Sequence, residues 1–168
     1  MKASMYSLSI PVFRRTISNL SAILDKAVVH AQDRKIDPAV LLSARLYPDM
    51  LAFTRQVQLT CDFAKNSAAR LAGDTPPKFD DVETTFAELK DRIARTVAFL
   101  DGIAAARIDG SEDRAIEIVT PARTLQFKGY DFLAHWALPN LFFHATTAYD
   151  ILRHNGVEVG KLDFLGPV

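Results

Sequence analysis

Four histidines, one cysteine and a scatter of carboxylates are the groups in this sequence with reactive potential. His144 stands out because it sits in the apolar run Leu141-Phe142-Phe143-His144-Ala145. An imidazole buried in such a run needs a partner for each ring nitrogen, either a core hydrogen bond or a ligand. A metal would need two or three further donors in matched positions. The positions one helical turn away are Asn140 and Ala148, so a His-x-x-x-His clip is absent. A satisfied core histidine is the plainer expectation. His30 and His154 fall near helix ends, where imidazoles meet the dipole or solvent. His135, beside Trp136, is expected at the core edge.

A second group of polar residues interrupts an apolar helical pattern: Asp49, Gln56, Gln58 and Asp62. Gln56 is one position from the stripe residue Val57 and can point inward. Asp49 follows Pro48 and is the expected cap of that helix. An aspartate beside His144 would make an acid–base pair, and Asp49 and Asp62 are the candidates. Tyr47 and Tyr149 suit a pocket rim, with core packing as the plainer role. Cys61 reads as a small core residue. One thiol makes neither an intrachain disulfide nor a cysteine-based zinc site. No Gly-x-Gly-x-x-Gly, Gly-Lys-Ser/Thr or Gly-x-Ser-x-Gly element is present among the seven glycines. The expected ligand-binding set is therefore His144, Asn140, Gln56, Asp49 and Tyr149, with no metal and no cofactor assigned.

These residues must be positioned by helices. Ile10, Phe13, Ile17, Leu20, Leu24, Ala27 and Ala31 alternate steps of three and four, which predicts a helix over about 9–34, roughly 38 Å long. Ser7 or Ser9 is its expected cap, with Pro11 in the first turn. Asp37-Pro38 predicts a short helix to about Arg45. A second long helix is expected from about Asp49 to Ala72, stopped by Gly73. A third, with Phe86, Leu89, Ile93, Val97 and Leu100 on its stripe, is expected to be capped by Asp80 or Asp81. Ile116, Ile118, Leu125 and Phe127 alternate either side of Thr120-Pro121, the pattern of a small hairpin. A fourth helical segment spans Tyr130 to Asn155, with Pro139 forcing a kink or break and Gly156 a stop. The tail through Phe164 and Leu165 is expected to pack back on the bundle. The fold class expected is mainly α: an antiparallel four-helix bundle in a single domain, 1–168, with a β-hairpin before the last helix.

The chain has 168 residues, 49 % of them apolar, enough for a sizeable core. Twenty basic residues balance twenty acidic ones, so the basic excess expected of a nucleic-acid binder is missing. Net neutrality removes self-repulsion and favours self-association. No apolar stretch of about 18 residues offers a membrane span, and Arg14-Arg15 interrupt any signal-like segment after Lys2. A cytoplasmic location is expected.

The motif Leu138-Pro139-Asn140-Leu141-Phe142-Phe143-His144, then Ala148-Tyr149-Asp150-Ile151-Leu152-Arg153-His154-Asn155-Gly156, then Gly160-Lys161-Leu162-Asp163-Phe164-Leu165-Gly166, resembles the end of a bacterial family of unknown function similar to the DinB/YfiT-like helical bundles. Tyr47-Pro48-Asp49-Met50 with Gln56-Val57-Gln58 and Asp62-Phe63-Ala64-Lys65 resembles its second helix. The resemblance covers nearly the whole chain. It implies a four-helix bundle, a homodimer and, in the wider group, a divalent metal on three histidines. His144 falls on the second histidine of the family's last-helix pair, Asn140 on the first, and Gln56 on the ligand of the second helix, so one ligand of three is kept. Three functions follow as expectations: a bundle binding a small molecule near His144, a degenerate metalloenzyme of thiol-transferase or hydrolase type, or a structural or partner-binding module. The expected partners are a second copy of the chain and a small molecule, with no nucleic acid and no membrane.

Overall fold

The computed structural model of the chain describes residues 3–120 and 123–167. Four long helices make the body: α1 (Ile10–Arg34), α3 (Phe53–Ala72), α4 (Phe86–Asp101) and α7 (Leu138–His154). Short elements fill the connections: α2 (Pro38–Ser43), α5 (Ala105–Ile108), the strands β1 (Ala115–Val119) and β2 (Thr124–Lys128), α6 (Gly129–Phe132) and α8 (Lys161–Leu165). The mainly helical bundle with one hairpin before its last helix is as the apolar stripes predict. No helix among the described residues is long and apolar enough to cross a membrane.

Local chemistry explains most boundaries. Asp37 accepts from the Ala39 amide at 2.9 Å and Pro38 opens α2. Gly73 ends α3 at φ 81°, a conformation that costs other residues steric strain. Two expected starts are corrected. Asp49 does not cap α3: it lies exposed in a turn four residues upstream of Phe53, where the Met50 amide bonds to the Tyr47 carbonyl. Neither Asp80 nor Asp81 caps α4. Thr85 does, in a capping box with Glu88 whose carboxylate accepts from the Thr84 and Thr85 amides. Those hydrogen bonds, first among them that of the Thr84 amide, hold the Glu88 carboxyl below its ordinary range. Ser9 stands before α1 without a side-chain cap, its hydroxyl donating instead to the Met5 carbonyl.

Helix directions follow from which ends meet. Arg14 pairs with Asp101 and Asp25 with Lys90, so α1 and α4 run opposite ways. Gln56 meets His144, while Arg70 shares a groove with Phe132 and Trp136, so α3 opposes α7 and the turn before it. Phe53 packs on Phe86 with ring centroids 5.8 Å apart and Asp62 meets Arg92, so α3 and α4 run the same way. That last relation has a cost in chain length. Helix α3 is about 30 Å long, and the connection over 73–85 must return that distance. Thirteen residues reach about 43 Å when fully extended, so the return takes a largely extended path with no room for a helix. This strap is the long crossover that apolar periodicity passes over.

The core falls into two clusters along the bundle, bridged by the half-buried Val97. One end is built on Leu20, Ile23, Leu24, Phe53, Val57 and Leu89, the other on Phe13, Ile17, Ala64, Ala68, Leu71 and Phe132. In the hairpin, Ile116 pairs with Phe127 and Ile118 with Leu125, which puts the four alternating apolar residues on one face. Phe127 packs on Phe132 and Trp136 at 6.0 and 5.7 Å between ring centroids, so the bundle supplies the support that two strands lack alone. Pro121 lies outside the described residues. The last helical path neither breaks nor simply kinks at Pro139. A wide π turn over Leu133–Ala137 precedes it, and α7 restarts with the proline in its first turn, where no amide is needed. The tail returns on α1: Asn19 donates to the Phe164 carbonyl at 2.9 Å and Arg15 to that of Leu165 at 2.9 Å.

Candidate functional site

Helices α3 and α7 bring Gln56 and His144 together. Both are buried, at 1 % and 9 % exposure, and His144 Nδ1 lies 2.8 Å from Gln56 Oε1. The other end of the Gln56 amide donates to the Leu51 carbonyl at 3.1 Å. That bond orients the amide, so Oε1 can only accept, and the proton sits on His144 Nδ1. The Nε2 lone pair is left with no protein donor among the described residues, and it is not fully enclosed. Phe63 stacks on the imidazole at 5.4 Å and 17°, and Phe143 meets it edge-on at 5.2 Å. Burial, and secondarily the nearby Arg55 guanidinium, push the His144 pKa below its ordinary 6.5. The site therefore presents a neutral, oriented imidazole as a hydrogen-bond acceptor, flanked by the exposed ring of Phe143.

This has a pH signature. The folded protein resists protonation at His144 while the unfolded chain titrates near 6.5. Below that pH the unfolded state binds more protons, so stability falls as pH drops from about 6.5 through the lower folded pKa. His144→Phe is expected to remove this component, read as a flatter dependence of the urea midpoint on pH between about 7 and 5.

The other expected residues divide. Asn140 is half-buried on the same helix, with its amide donating to the Trp136 carbonyl at 2.8 Å. Asp49 is exposed and makes no side-chain bond to His144. Tyr149 turns to the tail, with its ring edge-on to Phe164 and its hydroxyl 3.5 Å from the Val159 carbonyl. Asp62 is engaged by Arg92 at 2.8 Å and Lys65 at 3.1 Å and forms no acid–base pair with His144. His135 and His154 are exposed, and His30 is half-buried.

A metal of the kind the DinB resemblance implies does not fit these residues. No group of three His, Cys, Asp or Glu able to hold a metal exists among the described residues. Gln56 Oε1 is taken by the imidazole, and Asn140 offers only a neutral amide oxygen, its Nδ2 being held by the Trp136 carbonyl. One imidazole nitrogen with neutral amides is a poor transition-metal site.

Arg92 was not legible as a special residue, yet it is the most buried charge among the described residues, at 0 % exposure. It donates to Glu83 at 3.1 Å, Asp62 at 2.8 Å and the Asp80 carbonyl at 3.0 Å. Gln58 donates to Glu83 at 2.9 Å, Lys65 to the Pro77 carbonyl at 2.9 Å, and Arg55 pairs with Asp81. Three cations, Lys65, Arg92 and Arg95, stand over the ring of Phe79. All of these contacts except Arg92–Asp62, which joins α4 directly to α3, reach into the strap, so the cluster ties the extended crossover to α3 and α4. The signal was an arginine three residues after Leu89, on the apolar face of α4. Cys61 lies fully buried beside this cluster, and burial pushes its thiol up to about 12. Ellman's reagent at pH 8 is expected to leave native protein unmodified and to titrate one thiol in denaturant. Rapid reaction of the native protein would contradict this burial.

The family model described as "Domain of unknown function (DUF1993)" matches residues 5–165. Among solved structures, a protein described as a DinB family member from Shewanella denitrificans is 46 % identical, with a TM-score of 0.88 over 97 % of this chain and 92 % of that one. No curated protein matches the chain significantly.

Proposed function

We propose, for a chain that belongs to the DUF1993 family within the DinB-like superfamily, that the surface at the His144 imidazole binds a small organic molecule. The ligand brings a hydrogen-bond donor to Nε2 and an apolar body to the aromatic walls. The observation that carries this reading is the Gln56-locked imidazole, whose second nitrogen is unprotonated, unpaired and not fully enclosed. A residue serving only to fill the core would have both nitrogens satisfied. Gln56 and Asn140 orient and flank; no catalytic step is assigned to them. A second copy of the chain is the expected protein partner, supported by zero net charge and by the exposed apolar residues Leu51 and Phe143. The cytoplasm is the expected location.

The test is a thermal-shift screen of small phenols and N–H heterocycles, followed by nitrogen-15 NMR of the histidines. A stabilising compound is expected to move the His144 Nε2 resonance and to lose its effect on His144→Phe. Stabilisers that act equally on that variant, or none at all, would sink the reading.

A further inference from the structure

Phe63, which stacks on His144, also lines a separate groove of about 250 Å³ between α3, the hairpin and the turn that carries Trp136. Its walls include Phe63, Phe132 and Trp136, and its polar residues are Asp62, Asn66, Ser67, Arg70 and Thr120. Arg70 is the unusual member. It is half-buried and forms no ion pair with a carboxylate among the described residues. Of the five donors of its guanidinium, one makes a long 3.4 Å contact, to the Asn66 carbonyl. Asn66 accepts from Lys65 through Oδ1 at 2.7 Å, which leaves its amide N–H₂ as a donor. The Trp136 indole N–H has no acceptor among the described residues, since the hydrogen bond at that residue uses its backbone carbonyl. Asp62, at one end, is neutralised by Arg92 and Lys65. The groove thus offers several unspent donors, one of them a desolvated cation, against three aromatic rings.

We propose that this groove is a subsite for a small aromatic carboxylate, its anionic end on Arg70 and Asn66 and its ring against Phe63 and Trp136. The inference does not rest on the His144 reading. A forked guanidinium suits a carboxylate or a phosphate, but phosphate leaves the aromatic walls uncovered. The volume lies below the usual range for drug-sized ligands, so the occupant is limited to about one ring. The plain alternative is that Arg70 only compensates the C-terminal dipole of α3, in whose last turn it lies.

Trp136 is the sole tryptophan, so its fluorescence reports on this groove directly. Benzoate is expected to change the emission saturably, with benzamide, acetate and inorganic phosphate each roughly tenfold weaker or more. Arg70→Gln, with folding checked by circular dichroism, is expected to weaken benzoate by about tenfold or more, and Arg70→Lys by less. Should Arg70→Gln not fold, Asn66→Asp is expected to weaken benzoate comparably, by placing a second carboxylate in the groove. The proposal is overturned by an absent or unsaturable benzoate response, by benzamide or phosphate binding as tightly, or by undiminished binding in the folded variant.

Discussion

Arg92→Ala is expected to lower folding stability by about 3–5 kcal/mol, the range for breaking a buried ion pair from one side. The side chain is fully enclosed, and its deletion takes the nearest cation from the Glu83 carboxylate, itself 3 % exposed, leaving it Gln58 and the more distant Arg95, and removes a partner from Asp62. Burial alone would lower the Arg92 pKa, yet Asp62 and Glu83 outweigh it and hold the group above its ordinary value. The guanidinium is therefore charged at every accessible pH, and its carboxylates need it. For a chain of this size the loss corresponds to a fall of about 6–20 °C in the melting temperature. Urea unfolding measures it directly. A change under about 1 kcal/mol would mean that desolvation cancels the pairing. The double replacement Arg92→Met with Glu83→Met is expected to recover most of the loss, because it removes both charges and keeps the volume. Limited proteolysis supplies the local readout: cleavage of Arg92→Ala is expected first within the strap, at Lys78.

Gly129→Ala is expected to be the costliest single-methyl change, about 3 kcal/mol. In an ordinary helical position the same substitution gains up to about 1 kcal/mol. Gly129 is buried where β2 turns into α6, and a Cβ there would collide with the Ser111 carbonyl oxygen. The obstacle is backbone, so no rotamer change relieves it. The adjoining Tyr130 amide bonds to the Glu112 carbonyl at 2.9 Å, which fixes the same crossing from the other side. Relief requires the hairpin to move away from the bundle and take Phe127 off Phe132 and Trp136. Alongside lower stability, a red-shifted Trp136 emission is expected in the folded variant. Wild-type stability would show that the hairpin shifts freely.

The helices were legible because apolar residues at steps of three and four leave little freedom: the stripe of α1 and that of α3 are the buried faces observed. The strap was not, for a physical reason. An extended segment held by side chains of neighbouring helices has no period of its own, and its carboxylates look like caps. Asp80 and Asp81 are good cap residues lying a few positions before an apolar stripe, and only the need to span α3 moves the helix start to Phe86. Arg92 was missed because arginine is rarely enclosed. The position was polar on an apolar face, which is the trace such a residue leaves. At the candidate site, sequence placed His144 and Gln56 on separate helices but could not bring them into register. It also grouped Asp49 and Tyr149 with them, whereas the late start of α3 and the returning tail draw those two elsewhere.

The direction of the helices has a kinetic consequence. Because α3 and α4 point the same way, neither can dock on the other as a local hairpin, and α1 finds its parallel neighbour α7 near the opposite end of the chain. The contacts that close the molecule join residues more than a hundred positions apart, such as Asn19 and Phe164. Chain-closure entropy must be met before those contacts reward it. This bundle, though helical, should fold with the tempo of mixed α/β domains rather than the microseconds of simple up-and-down bundles.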